Sequence, residues 1–412
     1  MKLFKHKDFS RFWIVSTISD FGAYITTLAL QILVIVNLSG STIDVGWISA
    51  SRWLPYMLLG LVAGVIVDRT NRKYILVVSD LTRGVLLILI CLLAMFDMIS
   101  IGWLIVIMIL FGIMSLFHDV ASQSLVPLIV PRAMLTEANA RLGQSSAVAE
   151  TSAPALAGGI VAGIGAPFAL LLNAGTYIIS GIMLSLIKYQ NTAIASKDKL
   201  SVQIKEGFQW VYRHEYLRPL ALNTHVWFLF HSMLITVFVT FAIIELGFSP
   251  TNLGFVLSAA GIGAVIGTSL SIQAGRRFGI GRVITFSRIL YGPAVIFMVL
   301  APPAIDGNMQ TTSLVMVIFG QFLYGFGMGV ESPLEMGFRQ SITPASMQGR
   351  MNATMRSFNR SMIVIGAPLG GFIADELGFR TALWISIVGL AICGIWCLFS
   401  KIYHAQIEDD DE

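Results

Sequence analysis

Charge is what this chain has least of. Only 12% of its 412 residues are Asp, Glu, Lys or Arg, where a soluble domain is nearer a quarter charged. That shortage excludes disordered and coiled-coil classes and argues strongly against an ordinary cytoplasmic enzyme. Cysteine is scarce as well. Cys91, Cys393 and Cys397 all lie inside apolar runs, which leaves neither a disulfide framework nor zinc-ligand spacing. There is no G-x-x-x-x-G-K-[ST] loop, so ATP-driven pumping by this chain alone is not expected. No convergent catalytic set stands out either, and no enzyme activity, cofactor or metal site is expected. The net charge of +4 is divided among short basic clusters between apolar runs. A nucleic-acid partner would need those cations on one soluble face.

What the chain has in abundance is apolar residue, 56% of the total, with a mean hydropathy of +0.78. A helix needs about 20 such residues to cross a bilayer, and twelve of them fit this length with short loops. The apolar runs predict helices at roughly 12–37, 46–67, 75–96, 101–120, 139–163, 167–188, 219–244, 251–274, 283–304, 311–334, 352–374 and 381–401. No barrel-like alternation is present, and lipid satisfies no backbone groups, so the spans must be helical. The basic start MKLFKHKDF runs into an apolar stretch that continues to about Val36 with no small-residue cleavage site. It reads as an uncleaved first span.

With twelve spans, the basic clusters all fall on one side. They include Lys2, Lys5, Lys7 and Arg11; Arg72 and Lys73; Arg132 and Arg141; Lys205, Arg213 and Arg218; Arg276, Arg277 and Arg282; and Lys401. The opposite loops carry Asp44, Asp97, Glu245, Asp306, Asp375 and Glu376, with Arg380 their one basic residue. The positive-inside rule then places both termini in the cytoplasm.

The halves repeat. Pro131 precedes Asn139-Ala140 by eight residues, and Pro344 precedes Asn352-Ala353 at the same spacing. APALAGG at 153–159 matches APLGG at 367–371, an offset near half the chain. The organisation expected is a six-helix bundle over 1–188, a linker with an interfacial helix over 189–218, a second bundle over 219–401 and an acidic tail over 402–412. Duplicated six-helix halves are a common transporter architecture.

The loop between the second and third runs reads Gly64-Val-Ile-Val-Asp68-Arg69-Thr-Asn-Arg72-Lys73. It resembles the signature loop of the major facilitator superfamily, G-x-x-x-D-R-x-G-R-K. Asn71 stands where that family has Gly, and Asn is the residue that next best tolerates a left-handed backbone. FHDVASQSLVPLIV at 117–130, Asp80-x-x-Arg83-Gly84, KEGFQWV and Gln348-Gly349-Arg350-Met351-Asn352 resemble the drug and siderophore exporters of that superfamily, the macrolide-efflux and enterobactin-exporter branch. Two departures weaken the implied proton antiport. The fourth run has no Arg, and Ala153-Pro154-Ala-Leu-Ala-Gly158-Gly159 has one residue more than the family's G-P-x-x-G-G.

The resemblance implies an all-α membrane protein of the major facilitator fold, with twelve transmembrane helices in two pseudo-symmetric bundles. It implies a monomeric exporter of amphipathic small molecules in a bacterial inner membrane, driven by proton antiport. The alternatives are export of an anionic metabolite such as a siderophore, and then an uptake symporter.

Charges inside the membrane cost a few kcal/mol each and mark function. Asp20 and Glu150 are the candidates for proton or cation coupling, with structural ion pairing as the alternative. Arg52 and Arg360 would hold an anionic group of a substrate or pair with those acids. His231 is either a titrating substrate contact or a packing residue. Asp20, Arg52, His231 and Arg360 are thus the substrate-site candidates. Conformational gating is expected of Gly64, Asp68, Arg69, Arg72, Lys73, Asp80, Arg83, Asp119, Pro154, Glu331, Arg350 and Arg356. Arg288 and Glu335 are expected to join them in inter-helix ion pairs.

Overall fold

The computed structural model describes residues 6–68, 70–131, 134–187 and 200–406. The chain is helical, in the order α1 (Lys7–Ile32), α2 (Thr42–Asp68), α3 (Arg72–Met95), α4 (Ile101–Ile129), α5 (Leu135–Ile164), α6 (Ala166–Ser185), α7 (Leu200–Arg213), α8 (Leu217–Ile244), α9 (Pro250–Phe278), α10 (Ile280–Val299), α11 (Thr311–Ser341), α12 (Ala345–Leu377) and α13 (Phe379–Leu398). Among the described residues, nine helices are long and apolar enough to cross a membrane by that measure alone. Large apolar side chains such as Leu58, Val85, Leu92, Phe255, Ile272 and Val388 are exposed. Lipid, not water, is the solvent that such outer faces fit.

The chain divides into two compact units, residues 1–40 with 51–200 and residues 41–50 with 201–412. The boundary differs from the expected one, because the first turns of α2 group with the second unit. Their termini explain it. Ser41 and Asp44 form a reciprocal cap, Asp44 accepting from the Ser41 backbone and hydroxyl at 2.9 Å. Asp375 of α12 then accepts from the backbone N–H groups of Thr42 (3.0 Å) and Ile43 (2.9 Å). Between them these acids satisfy the donors that a helix start leaves unpaired. The linker residues 189–199 and the tail residues 407–412 lie outside the described residues, as does Arg69.

In the first unit α3 packs on α6 and α4, and α1 packs on α5 and α6. The approach of α1 to α6 depends on Gly22. Asn173 Nδ2 donates to its carbonyl at 2.8 Å, and a Cβ there would collide with the Asn173 amide. Phe9, Phe12, Leu76, Leu125 and Leu184 form a buried cluster at one end. The first helix starts at Lys7, five residues before the expected position, and passes into a π-helical turn over Leu33–Asn37.

In the second unit α9 packs on α11, α10 on α11 and α13, and α8 on α12 and α13. The short helix α7 seats Val211, with Trp210 and Tyr212, against Leu217, Ala221, Met351 and Met355. Single glycines join α5 to α6, α9 to α10 and α12 to α13. Gly165, Gly279 and Gly378 have φ of +80°, +89° and +89°, a region in which a side chain would be strained. Gly165 and Gly378 stand 213 residues apart, the same offset as the sequence repeat.

Asn71 departs from expectation. Its φ is −72°, extended rather than left-handed, and its side chain accepts from the Tyr74 N–H at 3.2 Å. Asn replaces the family's Gly here as an N-cap of α3.

Between α7 and α8, His214 Nδ1 accepts from the N–H groups of Tyr216 (3.2 Å) and Leu217 (3.4 Å). Burial pushes its pKa below the ordinary 6.5, with Glu215 opposing. The folded protein therefore binds fewer protons than the unfolded chain, and this contribution to stability is complete above pH 6.5 and lost as pH falls below it. The melting temperature in detergent should fall on acidification from about pH 7.5 to 5, and His214→Gln should flatten that slope. An unchanged slope in the variant would count against the cap.

Candidate functional site

The first unit carries a polar cluster in otherwise apolar surroundings. Asp20 sits thirteen residues beyond the start of α1, about 20 Å along at 1.5 Å per residue. This is farther along the helix than the roughly 12 Å expected from a helix beginning near residue 12. Ser146 of α5 and Asp119 and His118 of α4 are its polar neighbours.

On α3, Asp80 is fully buried and Arg83 nearly so. Asp80 Oδ1 accepts from Arg83 Nη2 and lies 3.3 Å from His118 Nε2, while Ser180 of α6 donates to Oδ2. The Arg83 guanidinium rests 4.4 Å over the Tyr177 ring. On α4, His118 Nδ1 lies 3.8 Å from Asp119 Oδ1, and Tyr56 of α2 donates to Asp119 Oδ2 at 2.7 Å. Asp80–Arg83 is thus an i,i+3 pair within one helix, whereas the expected pairing was between helices. The cross-helix link runs through His118, a residue the sequence reading left without a role. A His-Asp step inside an apolar run was the available signal.

Arg52 of α2 donates to Thr27 Oγ1 of α1 at 2.9 Å. Its guanidinium lies 5.5 Å from the centroid of Trp53 and 5.6 Å from that of Phe111. No carboxylate pairs with it among the described residues. Glu150 and Pro154 lie within α5, and nothing is described of the Glu150 side chain. Gly64, near the end of α2, has open space around it, and Arg72 is buried at the start of α3 beside Lys73. The Asp68 side chain lies outside the described residues.

The second unit buries a larger ionic network. Arg288 of α10 donates through Nε to Glu331 (2.6 Å) and through Nη2 to Glu335 (2.8 Å), both on α11. Asn223 and Thr224 of α8 each accept one more of its protons, and Cys397 Sγ lies 4.0 Å from Nη1. Tyr291 donates to Glu331 at 2.6 Å, and Arg339 lies 3.4 Å from Glu335. Two carboxylates face two guanidinium groups, so this network balances. Beside it, His231 stacks on Trp227 at 4.3 Å and meets the Tyr324 hydroxyl at 2.6 Å through Nδ1. Arg360 of α12 lies 5.9 Å over Phe228 and near His231. Arg350 pairs with Glu206 of α7, and Arg356 is exposed on α12. Among the described residues no group of three or more His, Cys, Asp or Glu could hold a metal ion.

The described chain is helical, with charged networks inside apolar bundles. The family profile described as transmembrane secretion effector matches residues 2–412. The chain belongs to this family of the major facilitator superfamily. It is 23% identical over 392 residues to the multidrug efflux pump Tap of Mycolicibacterium fortuitum, covering 92% of each chain. It is 22% identical over 380 residues to macrolide efflux protein A of Streptococcus pyogenes, covering 90% of each. Among solved structures, a bacterial homologue of the iron transporter ferroportin in its inward-facing state superposes with a TM-score of 0.74 at 16% identity, over 95% of this chain and 98% of that one. At that identity the likeness concerns the fold. This transporter is thus a multi-pass membrane protein with efflux proteins among its relatives.

Proposed function

We propose that this transporter exports amphipathic small molecules by alternating access, exchanging them for protons across a bacterial inner membrane, with both termini cytoplasmic and the chain acting as a monomer. The observation that carries this reading is the half-buried Asp20, thirteen residues into the first span, beside Ser146, Asp119 and His118. An acid at that depth is costly unless it works, and a carboxylate that binds and releases a proton is the simplest work available. The efflux proteins among its relatives support this direction and class of cargo. The proton is the only coupling ion invoked.

The test is ethidium accumulation in cells with and without the transporter, before and after a protonophore. Lower accumulation that the protonophore abolishes is the expected result, and Asp20→Asn should remove it. Accumulation unaffected by the transporter, with the protein verified in the membrane, would sink the drug-export reading.

A second reading has its own observation. Arg52 has hydroxyl and aromatic partners but no carboxylate among the described residues, which suits an anionic cargo such as a siderophore. For such a cargo Arg52→Gln would be the damaging change. Equal transport by both variants would show that neither residue touches cargo.

A further inference from the structure

The cluster around His118 has more acid than base. Asp20, Asp80 and Asp119 supply three carboxylates, against the guanidinium of Arg83 and one imidazole. The other groups around it carry no further cation. Tyr56 of α2 is bound to Asp119, Tyr177 of α6 lies under Arg83, Ser180 of α6 is bound to Asp80, and Ser146 of α5 lies beside Asp20. The side chain of Glu150, also on α5, is outside the described residues.

The two faces of the imidazole are unequal. Nε2 points to Asp80, which is fully buried and already holds Arg83 and Ser180. Nδ1 points to Asp119, whose side chain is 45% exposed, whereas that of His118 is 12% exposed. An imidazolium carries an N–H on both nitrogens and can meet both acids. A neutral ring carries one, and turns a lone pair toward a carboxylate oxygen on the other side. Of the two acids beside the ring, Asp119 is the accessible one, so it is the neighbour through which a proton can come and go.

We propose that His118 is the seat of the exchanged proton, with Asp119 as its port to water and Asp80 as the fixed acid that holds the charged ring. This rests on the proton-coupled reading above and moves its centre from Asp20 and Glu150 to a histidine. On protonation a hydronium ion gives up one proton, which passes by way of Asp119 and forms an N–H bond at His118 Nδ1; water is left behind and no bond between heavy atoms changes. On release the proton returns the same way, and the lone pair left facing Asp119 drives the ring and α4 from their present seat. Asp20 then acts on the cluster through its charge.

The first arm of the test needs no cargo. The purified, full-length transporter is labelled with [15N]histidine, and the His118 ring signals are identified by their loss in His118→Gln. The ring should exchange between doubly and singly protonated forms as protons are supplied and withdrawn across the working range of the transporter. A ring fixed in one form throughout would overturn the assignment, because a purely structural pair need not exchange. The second arm measures ethidium efflux driven by a pH gradient in everted vesicles. His118→Gln should lower the gradient-driven rate by about tenfold or more, the scale on which a positioned proton-transfer group acts. Should the glutamine variant fail to fold, His118→Arg keeps the charge between the two acids and serves both arms. Efflux in the unaltered transporter that ignores the gradient would overturn proton coupling itself. Gradient-driven efflux that persists unchanged in the variant would overturn the role of His118 alone.

Discussion

Replacing Arg288 with methionine should all but eliminate folded transporter. The guanidinium is nearly solvent-free and is the shared partner of Glu331, Glu335, Asn223 and Thr224. Its removal leaves Glu331, itself buried, with only the Tyr291 hydroxyl at 2.6 Å. Breaking one side of a buried ion pair costs about 3–5 kcal/mol, mostly because the abandoned charge stays desolvated. That is a large part of the stability of most domains. Monodisperse yield and melting temperature in detergent would measure it. The companion result tests the cause. In Arg288→Met with Glu331→Gln, the surviving Arg339–Glu335 pair is again balanced, so most of the lost stability should return. A double variant as poor as the single one would mean that Arg288 acts through shape and hydrogen bonds, not charge.

How much of this could be read from the sequence depends on the kind of fact. Hydropathy is a property of runs, so the helices and the repeat were legible to within several residues, including the amphipathic α7 and the offset that relates Gly165 to Gly378. Depth was legible where the helix ends were, which is why Asp20 lies farther along α1 than expected. The start moved to Lys7 through residues too polar to score as apolar.

Rotation was not legible. Whether Asp80 faces Arg83 on its own helix or His118 on the next depends on how α3 and α4 turn about their axes, and α4, apolar almost all round, gives little from which to read its rotation. Inter-helix pairing of Glu331, Glu335 and Arg288 was expected, but the same limit hid which partner each would meet, Glu331 and Arg288 being forty-three positions apart. Asn71 failed for a different reason. Asn tolerates a left-handed backbone and also caps helices, and the second property is the one used here.

The close approach of α9 to α11 should be about as unforgiving as the ionic network. Gly263 and Gly267 on α9, and Gly325 and Gly329 on α11, stand four residues apart on each helix. A Cβ at any of them would sit inside the contact radius of a backbone atom of the other helix, at Phe322, Phe326, Ala260 or Ala264. Such reciprocal small-residue spacing lets two membrane helices meet backbone to backbone, where dispersion and not water release holds them. A flexible side chain could swing aside, but a carbonyl oxygen cannot, so the helices must part along the whole seam. Gly325→Ala should therefore cost about 3 kcal/mol or more although it adds a single methyl group. Gly337 on the same helix has nothing within 4 Å of its would-be Cβ. There the same substitution should be neutral or stabilise by up to about 1 kcal/mol through helix propensity. Melting temperatures of the two variants, measured side by side, separate the explanations. A steep loss at 325 with none at 337 locates the cost in the seam, and equal losses would assign it to the helix backbone instead.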